Sequence, residues 1–295
     1  MLYKSGAEFR TALEDQIRLT SFESGQPQIR LRKLAAMERF LARLADGQPN
    51  TWQLAGGLAL QLRTGNRFQT SEDLHISLFM RPEQVLQFLE HIGARDLQDW
   101  FHFEVDAFWP GSGLTETEPG RFTMRAALAG GDFETFHLDI SPGARDVYFA
   151  EPYQMAGFFE FAGLPAPVVP CCGLAWQAAE KFYSYIHPHD HRVFSKLEDL
   201  IDLLTIARLS ELDGAEFRQA ISASFTAHQA GDLPRKLPDP PSSREHSFNR
   251  MAAQAELEFD DLSEAYEALK SYLEPVLQGS QVGKWDPHKW KWGQE

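Results

Sequence analysis

The sequence predicts an α+β protein, with a small mixed sheet in the middle third, a helical lead before it and a helical half after it. Three observations carry this expectation. LHISLFM, FHFEVDAF, RFTMRAALAG and FETFHLDIS alternate apolar and polar residues between Gly, Pro and Ser turns, as strands do. Apolar residues instead return every three to four positions near the N-terminus and through most of the last third, as in amphipathic helices. A chain of 295 residues, 43% hydrophobic and 24% charged, is long and apolar enough to bury a sizeable core.

Two helices fill the first ~48 residues and end at the breaker DGQPN. In QIRLRKLAAMERFLARLA (28–45), Leu31, Leu34, Ala35, Leu41, Leu44 and Ala45 share one broad face, and Arg32, Arg39 and Arg43 gather on another. The arginine face is either simply solvated or a stripe that tracks RNA phosphates. TWQLAG reads as a short strand entering the helix GLALQLRTG. PEQVLQFLEHIG, with Pro82 near its start, reads as another helix. A proline-rich joint, GLPAPVVP (163–170), then separates the sheet from CGLAWQAAEKFYSYI, FSKLEDLIDLLTIARLS, AEFRQAISASFTAHQA and DLSEAYEALKSYLEPVL, all helical in period. LPRKLPDPPSS (233–243) is expected to be an exposed loop. The Trp-rich end, KWDPHKWKWGQE, packs locally over the surface or offers stacking platforms. Three regions result: a helical lead (1–50), a sheet core (51–170) and a helical C-terminal domain (171–295).

A net charge of −14 excludes indiscriminate attraction to nucleic acid. The opening MLYKSGAEFRTALEDQ lacks the order of a signal peptide, and no apolar run approaches the roughly 18 residues of a membrane span. Cys171 and Cys172 are adjacent, which suits free thiols better than a disulfide framework. The expectation is a cytoplasmic protein.

The chemistry concentrates in LAGGLALQLRTGNRFQTSEDLHISL (54–78). Gly56 and Gly57 open a helix, where glycines let a phosphate approach backbone amides. Ser71 and Asp73 enter the next strand, and Asp139 lies on the later strand FHLDIS. Carboxylates gathered this way hold divalent metal for phosphoryl transfer. Alternatively, Asp73 is a turn residue and Asp139 a strand-end cap. In AWQAAEKFYSYI, Lys181 shares a polar stripe with Gln177 and Ser184. It is either a phosphate ligand or a lysine snorkelling from a core helix. Asp199 and Asp202, one turn apart in SKLEDLIDLL, either orient that lysine or are solvated. IHPHDHRVF packs His187, His189, Asp190 and His191 together, a minor alternative reading as a zinc hydrolase site.

WQLAGGLALQLRTGNRFQTSEDLHISL and AEKFYSYI followed by RVFSKLEDLIDLL together resemble the motifs of the AbiEii/AbiGii-type nucleotidyltransferase toxins. The resemblance implies a polymerase-β-like nucleotidyltransferase fold and the toxin role in a toxin–antitoxin or phage-defence pair. It further implies transfer of a nucleotide from an NTP to an acceptor, tRNA or another RNA, with Mg or Mn as cofactor and an antitoxin protein as partner. By this resemblance Gly56, Gly57, Ser71 and Lys181 bind nucleotide. Asp73 and Asp139 bind metal with help from His75, and Asp73, Asp139, Lys181, Asp199 and Asp202 serve catalysis. Three positions depart from the family pattern. Ala55 and Gln69 stand where relatives carry Lys and Arg, and His75 replaces the second carboxylate of an Asp-x-Asp pair. Neutral imidazole is a poor Mg²⁺ ligand and an acceptable one for Mn²⁺. The chain is therefore expected to be an altered enzyme or a degenerate nucleotide- or RNA-binding module.

Overall fold

Amphipathic periodicity at the N-terminus becomes two helices, α1 (Gly6–Ser24) and α2 (Gln28–Gly47). The side chain of Ser5 caps α1 by accepting from the Glu8 amide, and Gly25 ends the helix in the left-handed conformation that glycine adopts readily. The computed structural model describes every residue except 1, 49, 65–72, 109–119, 143–149, 156, 188–194, 241–244, 260, 281 and 295. The chain forms two compact units, divided mainly between Cys172 and Gly173.

The first unit continues with β1 (Trp52–Ala55), α3 (Gly56–Thr64), β2 (Asp73–Leu78), α4 (Pro82–Gly93), β3 (Phe101–Phe108), β4 (Gly120–Leu128), β5 (Gly131–Pro142), β6 (Glu151–Gln154) and β7 (Val168–Cys171). Among the described residues, its seven strands form one mixed sheet in the order β3-β4-β5-β2-β1-β7-β6. β2 runs parallel to β5 and antiparallel to β1. Alternation sorts the side chains: Leu54, Leu74, Ile76, Phe122, Phe136, Leu138 and Ile140 enter the buried core. Residues 73, 75, 121, 137 and 139 take the opposite face. Phe9, Leu13 and Ile17 of α1 and the apolar face of α2, from Leu31 to Leu44, join the same core, so the N-terminal helices complete the sheet's apolar side.

The sequence expectation for α2 is corrected here. Arg39 and Arg43 are only 3% and 0% exposed, and therefore form neither a solvated face nor an RNA-tracking stripe. Arg39 Nε donates to Asp99 Oδ2 at 2.7 Å, and Arg43 donates to both Asp99 oxygens at 3.0 and 2.7 Å and to the Phe101 carbonyl at 2.7 Å. Arg32 pairs with Glu14 and donates to the Phe133 carbonyl. Burial alone would raise the Asp99 pKa, but the two arginines outweigh it and hold the carboxylate below its ordinary range. The joint GLPAPVVP likewise supplies a strand, β7, which lies between β1 and β6 and pairs Leu54 with Cys171. Cys171 and Cys172 are free and buried, and burial pushes the Cys171 thiol up to about 12.

The second unit contains α5 (Leu174–Ile186), α6 (Ser195–Leu209), β8 (Leu212–Asp213), α7 (Gly214–Ala227), α8 (Glu245–Gln254), α9 (Leu262–Leu277), β9 (Lys284–Asp286) and β10 (Lys291–Trp292). β8, β9 and β10 form a small sheet that the Trp-rich end builds. Trp285 is fully buried and donates its indole N–H to the Ala207 carbonyl at 2.6 Å, and Trp292 donates to the Tyr272 carbonyl at 2.9 Å. Trp285 is a core anchor, Trp292 is half-buried, and both indole donors are in use. The described part of the proline-rich linker is tied down, not simply exposed. Leu237 is buried, Tyr266 donates to its carbonyl at 2.7 Å, and Tyr185 donates to the Pro238 carbonyl at 2.8 Å. Among the described residues, no helix is long and apolar enough to cross a membrane.

Candidate active site

The site is built where β1 turns into α3. Gly56 has φ +65, a conformation that costs an L side chain strain, and a Cβ there would lie 3.0 Å from His75 Cβ. Glycine is thus required twice, by the turn and by the imidazole beside it. Gly57 follows as the second residue of α3, half-buried. His75 Nε2 lies 2.8 Å from Ser141 Oγ.

Parallel register brings the two expected carboxylates together. Asp73 stands beside His137 and His75 beside Asp139 across β2 and β5. Antiparallel register then sets Arg121 of β4 directly opposite Asp139. The Arg121 guanidinium forks onto Asp139, with Nε to Oδ1 at 2.6 Å and Nη2 to Oδ2 at 2.7 Å, and Nη2 also donates to Asp73 Oδ2 at 2.9 Å. Bonding to Asp139, opposed by partial burial and reinforced by the charges of Asp139 and Asp73, raises the guanidinium pKa further. Sequence reasoning missed Arg121. Its only signal was its place in the alternation of RFTMRAALAG, which gives a face and not a partner.

This donor set, as folded, does not fit a divalent ion. The pair offers two carboxylates where an Asp-x-Asp motif would help supply three, the imidazole is engaged with Ser141, and one guanidinium spans both acids. Among the described residues, no three His, Cys, Asp or Glu side chains gather to hold a metal. Ser71 and Gln69 lie outside the described residues, as do His189, Asp190 and His191 of the alternative zinc cluster. His187 packs its ring against Tyr183.

In the second unit, Lys181 of α5 meets both acids of α6, at 3.2 Å to Asp199 Oδ1 and 2.7 Å to Asp202 Oδ2. Burial alone would lower the lysine pKa, but the two carboxylates outweigh it and hold the ammonium above its ordinary range. Asp199, 4% exposed, is pushed up by burial against the opposing pull of Lys181 and Ser184. The structure thus brings these three side chains together. On the same helix, Glu180 accepts from Ser224 at 2.7 Å and meets His228 at 3.1 Å, tying α5 to α7.

A mixed sheet of this topology, with carboxylates on neighbouring strands beside a strand–glycine–helix turn, is the polymerase-β-like nucleotidyltransferase fold. A solved structure of MenT4, a nucleotidyltransferase toxin from Mycobacterium tuberculosis H37Rv, matches with a TM-score of 0.53 at 17% identity, over 88% of this chain and 97% of that one. The chain belongs to the AbiEii family, the nucleotidyl transferase toxins of type IV toxin–antitoxin systems, whose profile matches residues 39–282. Weaker likenesses are to the antibiotic-resistance factor ANT(2'')-Ia, with a TM-score of 0.39 at 15% identity over 67% of this chain and 93% of that one, and to an antigenic nucleotidyltransferase-like protein from Paracoccidioides brasiliensis, with a TM-score of 0.41 at 13% identity over 68% and 89%. No curated protein sequence matches this chain.

Proposed function

We propose that this chain moves a nucleotide from an NTP to an RNA acceptor, tRNA being the first to test: an acceptor hydroxyl bonds to the α-phosphorus as the α–β phosphoanhydride bond breaks and pyrophosphate leaves. The observation that supports this reading is the adjacency of Asp73 and Asp139 on parallel neighbours, beside the turn that requires Gly56. Amides at the start of α3, freed of side chains at Gly56 and Gly57, receive phosphate oxygens. Asp139, at the sheet surface, faces the reacting hydroxyl, and with both oxygens held by Arg121 it takes up the proton once that fork is released. Lys181 of the second unit, held as an ammonium by Asp199 and Asp202, is a candidate ligand for a phosphate oxygen. The family's chemistry ordinarily draws on Mg or Mn, but no step here is routed through a metal, because the carboxylates are already engaged. A cognate antitoxin is the protein partner that family membership implies.

A second reading has its own support. With His75 at the second carboxylate position and Arg121 across the remaining acids, the chain is a nucleotide- or RNA-binding module without turnover. Incubation with each of the four labelled NTPs and a tRNA pool, in Mg²⁺ and in Mn²⁺, separates the two. Transfer is expected to appear in RNA and to fall roughly 100-fold or more in Asp139→Asn. Retained NTP binding with no labelled RNA for any NTP or metal would favour the binding module.

A further inference from the structure

We propose that Arg121 is the resident counter-cation of the Asp73–Asp139 pair, and that a divalent ion gains this site only by displacing its guanidinium. The inference rests on the reading of this pair as the reaction centre, and it explains why the donor set does not fit a metal as folded.

Two carboxylates on adjacent strands repel each other unless a cation lies between them. The sheet supplies that cation from a third strand. Register places Arg121 opposite Asp139, and three bonds of 2.6, 2.7 and 2.9 Å bridge both acids, two of them as a planar fork. A guanidinium carries one positive charge against two negative ones, so the bridged pair keeps a net negative charge that a doubly charged ion would cancel. The pair is also within reach of solvent: Arg121 is 27% exposed, Asp73 25% and Asp139 28%. Access is therefore no barrier, and the competing guanidinium is. A metal that binds only when the fork is released sees its affinity reduced by the released fraction.

Mn²⁺ alone is the probe, because the signal of free hydrated Mn²⁺ in electron paramagnetic resonance reports binding without any turnover. Full-length protein, Arg121→Gln, Arg121→Lys and the double variant Arg121→Gln/Asp139→Asn are titrated, with circular dichroism as the check on folding. Arg121→Gln should bind Mn²⁺ about 10-fold or more tighter than the natural chain, the scale of losing charge-assisted bonds from a competitor. Arg121→Lys should fall between, since an ammonium keeps the charge and loses the fork. The double variant should lose the gain. Equal affinity in the natural chain and Arg121→Gln, binding by neither, or undiminished binding in the double variant would each overturn the proposal. Should Arg121→Gln fail to fold, Arg121→Lys decides alone, and affinity no higher than the natural chain's overturns it. Tighter Mn²⁺ binding in Arg121→Gln with no NTP transfer by any variant would remove the proposed reaction and leave the displaceable guanidinium standing.

Discussion

A single carboxyl on α2 couples stability to pH. Glu38 is 3% exposed, and burial, against the opposing pull of the Phe158 amide and Arg39, pushes its pKa up to about 7 from 4.5. Its Oε2 accepts from that amide at 3.1 Å. The folded state holds this proton more tightly than the unfolded chain does. The contribution is therefore fully present below about pH 4.5 and is lost as pH rises through about 7. Denaturant titrations of the natural chain and Glu38→Gln should diverge across that window, the natural chain losing roughly 2–3 kcal/mol more than the variant. Parallel curves would show that Glu38 titrates normally. The same scale shows where sequence reading stops. Asp73 and Asp139 were found because a carboxylate in an apolar alternating strand stands out. Arg121 was not, because its meaning depends on which residue lies opposite, and that follows from a hairpin turn at Ala129 and Gly130 and an irregularity between Ala126 and Ala127.

Elements were readable wherever local periodicity matched the final packing, as in α4, β3 and α9. They were misread where tertiary contacts overrode local pattern. β7 contains a proline and reads locally as a joint, yet it is held between β1 and β6. The arginines of α2 looked solvent-facing because charge usually is. Here they clamp α2 to the segment entering β3 through one fully buried acid, Asp99. Asp99→Ala would strand two buried guanidinium groups and should cost about 3–5 kcal/mol in a denaturant titration. For the same reason, replacing Arg32, Arg39 and Arg43 by Gln should damage folding before it reports on RNA. A loss below about 1 kcal/mol for Asp99→Ala would mean that water reaches the clamp.

At the scale of the whole molecule, family membership spans both compact units, since the match runs from residue 39 to 282. The first unit holds the carboxylate pair, and the second holds Lys181 between Asp199 and Asp202. That lysine neutralises two acids on α6, and a further role at the triphosphate is a separate prediction. Deleting it confounds the two roles, because either would suffer from unpaired acids. Lys181→Arg separates them: it keeps the charge and the pairing capacity while replacing a compact ammonium by a broad planar fork. If Lys181 contacts phosphate, Lys181→Arg should retain the natural melting temperature while the KM for NTP rises or turnover falls by roughly 10-fold or more, the scale of one bond to a charged group. Asp202→Asn, which leaves the ammonium one acid to balance it, should then shift KM without matching that loss. Unchanged kinetics in Lys181→Arg, with Lys181→Met losing stability, would confine the lysine to holding α5 on α6 and leave the reaction to the residues of the first unit.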